Sequence, residues 1–307
     1  MRNYKKRLKR FLYAKLGFSI KASLLSSPNL DLDDFEVDEK SVFWKKYNLT
    51  FNEVLLHFIP SLDRLEDLFN LGFKGVATDT NLIVSYESIN FNIENVEEIN
   101  ILHEIYLGGD YNLITNKEFV FLDIGMNVGF TSLYFANNKN CIQVHGFEPF
   151  PDTASKCNNN LLNNPLLAKK ISLNNFGLSN FSGEVEVDYI PSVRGSIGIN
   201  NPEWVNNLPS SLKQKKKIQI KSASVLKNYL SLDTKEVVCK IDCEGSEYEI
   251  IDKLIECNII KDIGTFLIEW HYKGPDYISS KLSQEGFSVL SLRPKSPNIG
   301  MIYAFRK

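Results

Sequence analysis

The chain has no Gly-x-Gly-x-x-Gly segment. That removes the usual fingerprint of a dinucleotide site, in which three glycines shape the turn under a pyrophosphate. It has no Cys-x-x-Cys pair either. Its five cysteines, Cys141, Cys157, Cys239, Cys243 and Cys257, are odd in number and sit in or beside apolar stretches. This argues against paired zinc-ligand spacing and fits reduced core thiols in a cytoplasmic protein. No apolar run is long enough to span a bilayer, and no unbroken apolar core follows the basic start as a secretory signal requires. Excess charge of one sign is missing too, since a net −2 over 307 residues argues against a surface given over to nucleic acid. Repeats and low-complexity tracts are absent. The remainder, 43% apolar and 23% charged, is ordinary usage for one soluble enzyme domain carrying an extension.

Acids are missing from the first thirty residues, which hold Arg2, Lys5, Lys6, Arg7, Lys9, Arg10, Lys15 and Lys21. Tyr4, Leu8, Phe11, Leu12 and Leu16 fall near one helical face, so the segment reads as a basic amphipathic helix. Two uses follow. Residues 1–24 either dock on an anionic membrane or glycolipid, or pack on their own domain with the charged side in water. Residues 1–71 as a whole read as a mainly helical extension, broken at Pro28-Asn29 and the acidic run Asp31 to Asp34. Exposed apolar residues on such helices would favour a homodimer. Residues 72–119 hold a strand-rich lead-in at Leu82 to Tyr86, then a helix reaching Tyr106. Asn92 or Asn95 caps that helix, with Glu94, Glu97 and Glu98 in its first turns.

What is present is concentrated at Val120 to Thr131, where an apolar strand runs into Asp123, then Gly125-Met-Asn-Val-Gly129, then a helix. Glycines at the carboxyl end of a first α/β strand let a ligand approach the backbone, and the helix start offers free N–H groups. The Gly-x-x-x-Gly spacing and the strand-end acid favour S-adenosylmethionine over NAD. A second strand, Cys141 to Phe147, ends on Glu148 and is stopped by Pro149 and Pro151. Its carboxylate is placed to accept hydrogen bonds from two ribose hydroxyls. Strand and helix alternate to the end, giving an α/β class with a parallel sheet and helices on both faces. The strands lie near 119–123, 142–148, 171–175, 237–242, 265–270, 286–292 and 300–306.

Four segments together resemble the FkbM-type S-adenosylmethionine-dependent methyltransferases: Asp123-Ile-Gly-Met-Asn-Val-Gly, Phe147-Glu-Pro, Asn175-Phe-Gly-Leu-Ser and Lys240-Ile-Asp-Cys-Glu-Gly-Ser-Glu. The resemblance covers about residues 72–307. It implies a Rossmann-like, seven-stranded class I methyltransferase sheet whose last strand is antiparallel. The family's usual pattern has alanine where Met126 stands, so Met126 is expected to reshape the pocket wall slightly. The resemblance also implies that Asp123 contacts the methionine end, directly or through water, and that Gly125, Asn127 and Gly129 shape the turn beneath it. Glu148 then holds the ribose. Asn175 bonds the adenine ring and Phe176 either lines that ring or packs in the core.

Catalytic candidates come from Asp242-Cys-Glu244 and Glu269-Trp-His271, each at the carboxyl end of a strand, where neighbouring tips converge on one cleft. Asp242 contacts the methionine amino group or the acceptor. Glu244 or Glu247 either joins that work or caps the next helix. His271 is the leading general base, because its ordinary pKa lies near neutrality, or else it is packed beside Trp270 and Tyr272. The resemblance requires no metal and none is assigned, although Asp242, Glu269 and His271 have the chemistry to hold Mg²⁺. The long connection between the third and fourth strands reads as a lid, with Arg194 either a donor to the acceptor or an exposed loop residue. Within it Lys213 to Lys217 read as a solvated loop or a contact for a substrate phosphate. Methylation of a hydroxyl on a sugar, glycan or other small metabolite is the leading activity. An NAD-linked oxidoreductase and a non-catalytic scaffold are the alternatives.

Overall fold

The computed structural model describes residues 30–38, 40–201, 203–230, 236–292 and 298–307. The expected basic amphipathic helix lies outside them. The chain divides into two compact units, Met1–Gly109 and Asp110–Lys307. The strand-rich lead-in, grouped by sequence with the second half, belongs to the first unit.

Where it is described, the first unit combines two three-stranded sheets with short helices and 3₁₀ turns, so the expected mainly helical extension is corrected to a mixed one. Strands β1 (Phe35–Val37), β2 (Val42–Trp44) and β3 (Leu49–Phe51) form one antiparallel sheet. Val42 and Trp44, then Leu49 and Phe51, alternate inward with polar or half-buried neighbours, so the period is two although each run is only three residues long. The expected helix character is confined to α1 (Leu62–Leu71) and short 3₁₀ turns. Strands β4 (Lys74–Ala77), β5 (Leu82–Tyr86) and β6 (Ile89–Ile93) make an antiparallel meander that leads into α2 (Val96–His103). Asn95, not Asn92, is the cap. Its side chain accepts the Glu98 N–H at 3.0 Å while Glu98 accepts the Asn95 N–H at 3.2 Å, a reciprocal capping box.

The second unit is built on a seven-stranded sheet. In chain order its strands are β7 (Phe119–Ile124), β8 (Cys141–Phe147), β9 (Ile171–Asn174), β13 (Val237–Ile241), β14 (Thr265–His271), β15 (Phe287–Ser291) and β16 (Ile299–Arg306). The spatial order β15-β16-β14-β13-β7-β8-β9 inserts β16 antiparallel between β15 and β14, as the family resemblance implied. Helices α3 (Phe130–Asn137), α4 (Pro151–Leu162), α5 (Glu247–Glu256) and α6 (Asp276–Gln284) connect the strands. Every residue of β7 and β13 is buried. These central strands therefore read as continuous apolar runs broken by one charged residue each, Asp123 and Lys240. Their register pairs Lys240 with Asp123, which puts the two charges at one level of the sheet.

The connection from β9 to β13 is folded rather than looped. Strands β10 (Gly177–Ser179), β11 (Gly183–Tyr189) and β12 (Gln214–Ser222) form a second sheet in the order β10-β12-β11. This corrects the reading of Lys213 to Lys217 as a solvated loop, since all but Lys213 lie on β12. Ile218 and Ile220 face a small core, and the lysines meet acids: Lys215 with Asp188 at 2.8 Å, Lys217 with Glu184 at 3.2 Å, Lys216 with Asp152 at 2.6 Å. Among the described residues no helix is long and apolar enough to cross a membrane.

Candidate functional site

The carboxyl ends of β7, β8 and β13 border a cleft, lined on its other side by Arg194 to Ile199 and by β12. Its floor is the turn after β7. Gly125 and Gly129 have φ of +84° and +86°, and Asn127 takes +50°. Gly125 fits because its Cα faces the Asp242 carbonyl: a Cβ there would lie 1.7 Å from that oxygen. The Asn127 N–H donates to Glu148 Oε2 and the Phe150 N–H to Oε1, both at 2.9 Å. Burial pushes the Glu148 carboxyl from 4.5 up to about 7, against those two N–H donors. Beside it Asn127 Oδ1 is buried with no hydrogen-bond partner among the described residues.

Met126 does not line the cleft. It packs behind the turn, where Gly146 leaves room for it: a Cβ on Gly146 would lie 2.1 Å from its sulfur. The expected reshaping of the pocket wall is therefore absent. Asp123 is also set back. Fully buried at the end of β7, it pairs with Lys240 at 3.0 Å and accepts from Ser132 Oγ at 2.6 Å. Asn175 donates to the Glu148 and Pro149 carbonyls at 2.8 and 3.3 Å, fixing the tip of β8. Phe176 packs on Phe147 with the Lys221 ammonium over its ring, and it is Gly177 and Leu178 that reach the cleft wall. Arg194 is 6% exposed and lines the cleft, so its exposed-loop reading is set aside.

A polar cluster adjoins the cleft at the tips of β13 and β14. Asp242 sits where its N–H donates to the Ile124 carbonyl, and its carboxylate meets Lys240 at 3.3 Å. Tyr111, which sequence reasoning missed, places its hydroxyl 3.3 Å from both Asp242 and Glu269. Glu247 is fully buried and turns back to accept the Cys243 and Gly245 N–H groups of the turn before its helix, whereas the cap residue Ser246 makes no side-chain cap bond, so the expected capping role is not seen. Glu247 also holds His271 Nδ1 at 3.0 Å, while Nε2 lies 3.6 Å from Glu244. Burial alone would pull the imidazole pKa down, but the bond to Glu247 and the charges of Glu244 and Glu247 override it and raise it well above its ordinary value. His271 is only 2% exposed and keeps its proton at neutral pH, so it is badly placed to act as the free base expected of it. Lys240 is the other residue given no role by sequence. A lysine inside Val-Val-Cys-Lys-Ile is buried on both faces and must have charged partners, and that was the available signal.

Asp242, Glu269 and His271 bring ligand atoms within 4.8 Å of one another. The family model for the methyltransferase FkbM domain matches residues 123–289. Among solved structures, the methyltransferase FkbM from Methylobacillus flagellatus is 14% identical with a TM-score of 0.43, covering 65% of this chain and 46% of its own. This chain thus spans under half of that protein's length. Precorrin-6y C5,15-methyltransferase from Geobacter metallireducens is 14% identical (TM-score 0.35; 68% and 88% covered). The M. jannaschii TYW2 protein in complex with AdoMet is 11% identical (TM-score 0.37; 75% and 86% covered). No curated protein matches the chain.

Proposed function

The chain belongs to the FkbM methyltransferase family, with S-adenosylmethionine as its cofactor, and on that premise we propose that it methylates a hydroxyl of a sugar, glycan or other small metabolite. The residues of the cleft fit that cofactor. Glu148 offers a carboxylate to the ribose hydroxyls, and the orphaned Asn127 Oδ1 offers an acceptor to the methionine ammonium. When bound, the cofactor supplies a sulfonium methyl group, already activated for in-line displacement. Alignment of the acceptor oxygen then supplies much of the rate. The observation that carries the hydroxyl reading is the carboxylate pair Asp242 and Glu269, bridged by Tyr111 beside the cleft. As the oxygen gains its methyl group, its proton passes to one of these carboxylates. His271, held as a cation between Glu244 and Glu247, orients the acids instead of taking the proton.

The test is incubation with radiolabelled methyl donor and fractionated extract, with the labelled product identified by mass spectrometry. Label in a methyl ether supports the reading. Label only on nitrogen or carbon rejects it.

Affinity for the cofactor should depend on pH through Glu148. Its pKa of about 7 means that roughly a tenth is ionised at pH 6 and about nine-tenths at pH 8. Only the ionised form accepts freely from two ribose hydroxyls, so binding should tighten roughly tenfold across that range, with proton release. Stability of the free protein moves the other way. A carboxyl raised above its ordinary 4.5 contributes stability at low pH that is lost as pH climbs through 7. Calorimetry at both pH values, in buffers of different ionisation enthalpy, checks both the affinity and the proton; a flat profile removes Glu148 from the ribose.

A further inference from the structure

We propose that Asp242, Glu269 and His271 Nε2 form a binding site for a divalent cation of the Mg²⁺ or Mn²⁺ class. Their ligand atoms lie within 4.8 Å of one another. On an octahedral ion with bonds near 2.1 Å, adjacent ligands sit about 3 Å apart and opposite ones about 4.2 Å. Small carboxylate rotations close that gap. The set is not simply an acidic patch, because the histidine is built as a ligand. Nδ1 is committed to the fully buried Glu247, the arrangement by which an outer carboxylate fixes the ring and raises the basicity of the opposite nitrogen. Nε2 makes no hydrogen bond among the described residues and meets Glu244 only through a long ion pair at 3.6 Å. The free-edge nitrogen of a ring 98% buried therefore faces carboxylates. The ion takes the place of the proton that Nε2 otherwise carries.

Charge points the same way. Even leaving out Glu244, whose carboxyl burial pushes up to about 8, the acids Asp123, Asp242, Glu247 and Glu269 outnumber the cations Lys240 and His271, and Lys240 is already shared between Asp123 and Asp242. The Asp242 side chain is 26% exposed, so a hydrated ion can reach the cluster and keep waters that an acceptor replaces. Two carboxylates with one imidazole suit Mn²⁺ and Mg²⁺ better than the softer ions that thiolates select. Taken together with the hydroxyl reading of the activity, on which this last step rests, the ion orients the acceptor oxygens and acidifies the attacking one. The methyl transfer itself is unchanged.

The test uses the full chain, stripped with chelator and dialysed, then titrated with Mn²⁺ at fixed pH while the electron paramagnetic resonance signal of free Mn²⁺ is followed. Expected are saturable binding of one ion per chain, competition by Mg²⁺, and at least a tenfold loss of affinity in folded Glu269→Gln. Because a variant can misfold, the wild-type complex is also read by electron spin echo modulation, where imidazole ligation gives a ¹⁴N coupling. Absence of saturable binding, bound Mn²⁺ without that coupling, or unchanged affinity in Glu269→Gln overturns the site. Methyl transfer assayed on the same samples separates the two ideas. Ion binding with ¹⁴N coupling but no hydroxyl methylation rejects the activity reading and supports the site. Hydroxyl methylation with no bound ion does the reverse.

Discussion

Gly125→Ala should weaken S-adenosylmethionine binding by at least about 100-fold, a loss on the order of 3 kcal/mol or more. The added Cβ lies 1.7 Å from the Asp242 carbonyl oxygen and 2.8 Å from its carbon. Both are backbone atoms, so no side chain can swing aside. The position is also at φ +84°, which costs an L-residue roughly 1–2 kcal/mol before any clash. Relief requires the turn to withdraw from β13. That pulls the Asn127 N–H from Glu148, and it strains the bond by which the Asp242 N–H donates to Ile124. One methyl group therefore disturbs Glu148 and Asp242, the acids proposed for the ribose and the acceptor, together. Gly183→Ala is the control, since a methyl group added there would meet nothing within 4 Å and no unusual φ is involved. It should leave affinity and stability within about 0.5 kcal/mol of the parent. Calorimetry and urea unfolding of the three proteins decide the matter; Gly125→Ala binding like the parent would show that the turn moves freely, contrary to its packing.

The sheet was legible because its central strands are buried on both faces. Val-Phe-Leu-Asp-Ile and Val-Val-Cys-Lys-Ile leave no helical period, and the Gly, Pro and Asp residues at their ends mark where the chain turns. Three-residue strands such as Val42–Trp44 and Leu49–Phe51 fall below the window in which alternation can be told from a helix face, so the first unit was misread. In β12 the run of lysines hid Ile218 and Ile220, and the acids on β11 that pair with those lysines lie tens of residues away in sequence. The site shows the same division. Glu148, Asp242 and His271 follow from strand ends, which are local features. Tyr111 reaches Asp242 and Glu269 across 131 and 158 residues, and no local pattern announces such a contact. Nor could the sequence show which carboxylates enclose His271. That depends on the chain reversing at Glu244 and Gly245, both at positive φ, so that Glu247 folds back beneath the ring.

Lys240→Met should destabilise the protein by about 3–5 kcal/mol, the cost of removing one partner from a buried ion pair. Lys240 is 2% exposed and Asp123 is fully buried. Methionine matches the length of the side chain but offers no proton to Asp123 at 3.0 Å, Asp242 at 3.3 Å or the Gly125 carbonyl at 2.8 Å. Asp123 then keeps only the Ser132 hydroxyl as a donor among the described residues. In the parent, burial alone would lower the lysine's pKa, yet Asp123 and Asp242 hold it above its ordinary value, so the ammonium belongs to the folded state. The double variant Asp123→Asn, Lys240→Met removes the stranded charge as well. It should recover about 2 kcal/mol or more of the loss, because neutral pairs avoid the desolvation that an isolated carboxylate suffers. Urea unfolding of the parent, the two single variants and the double variant measures that coupling. A Lys240→Met protein within about 1 kcal/mol of the parent, or a double variant no better than it, would mean that the pair is solvated and does not hold β7 to β13. Cofactor affinity adds a separate reading. Lys240 grips the Gly125 carbonyl from below, so the floor of the cleft should loosen in Lys240→Met even under conditions where the chain remains folded.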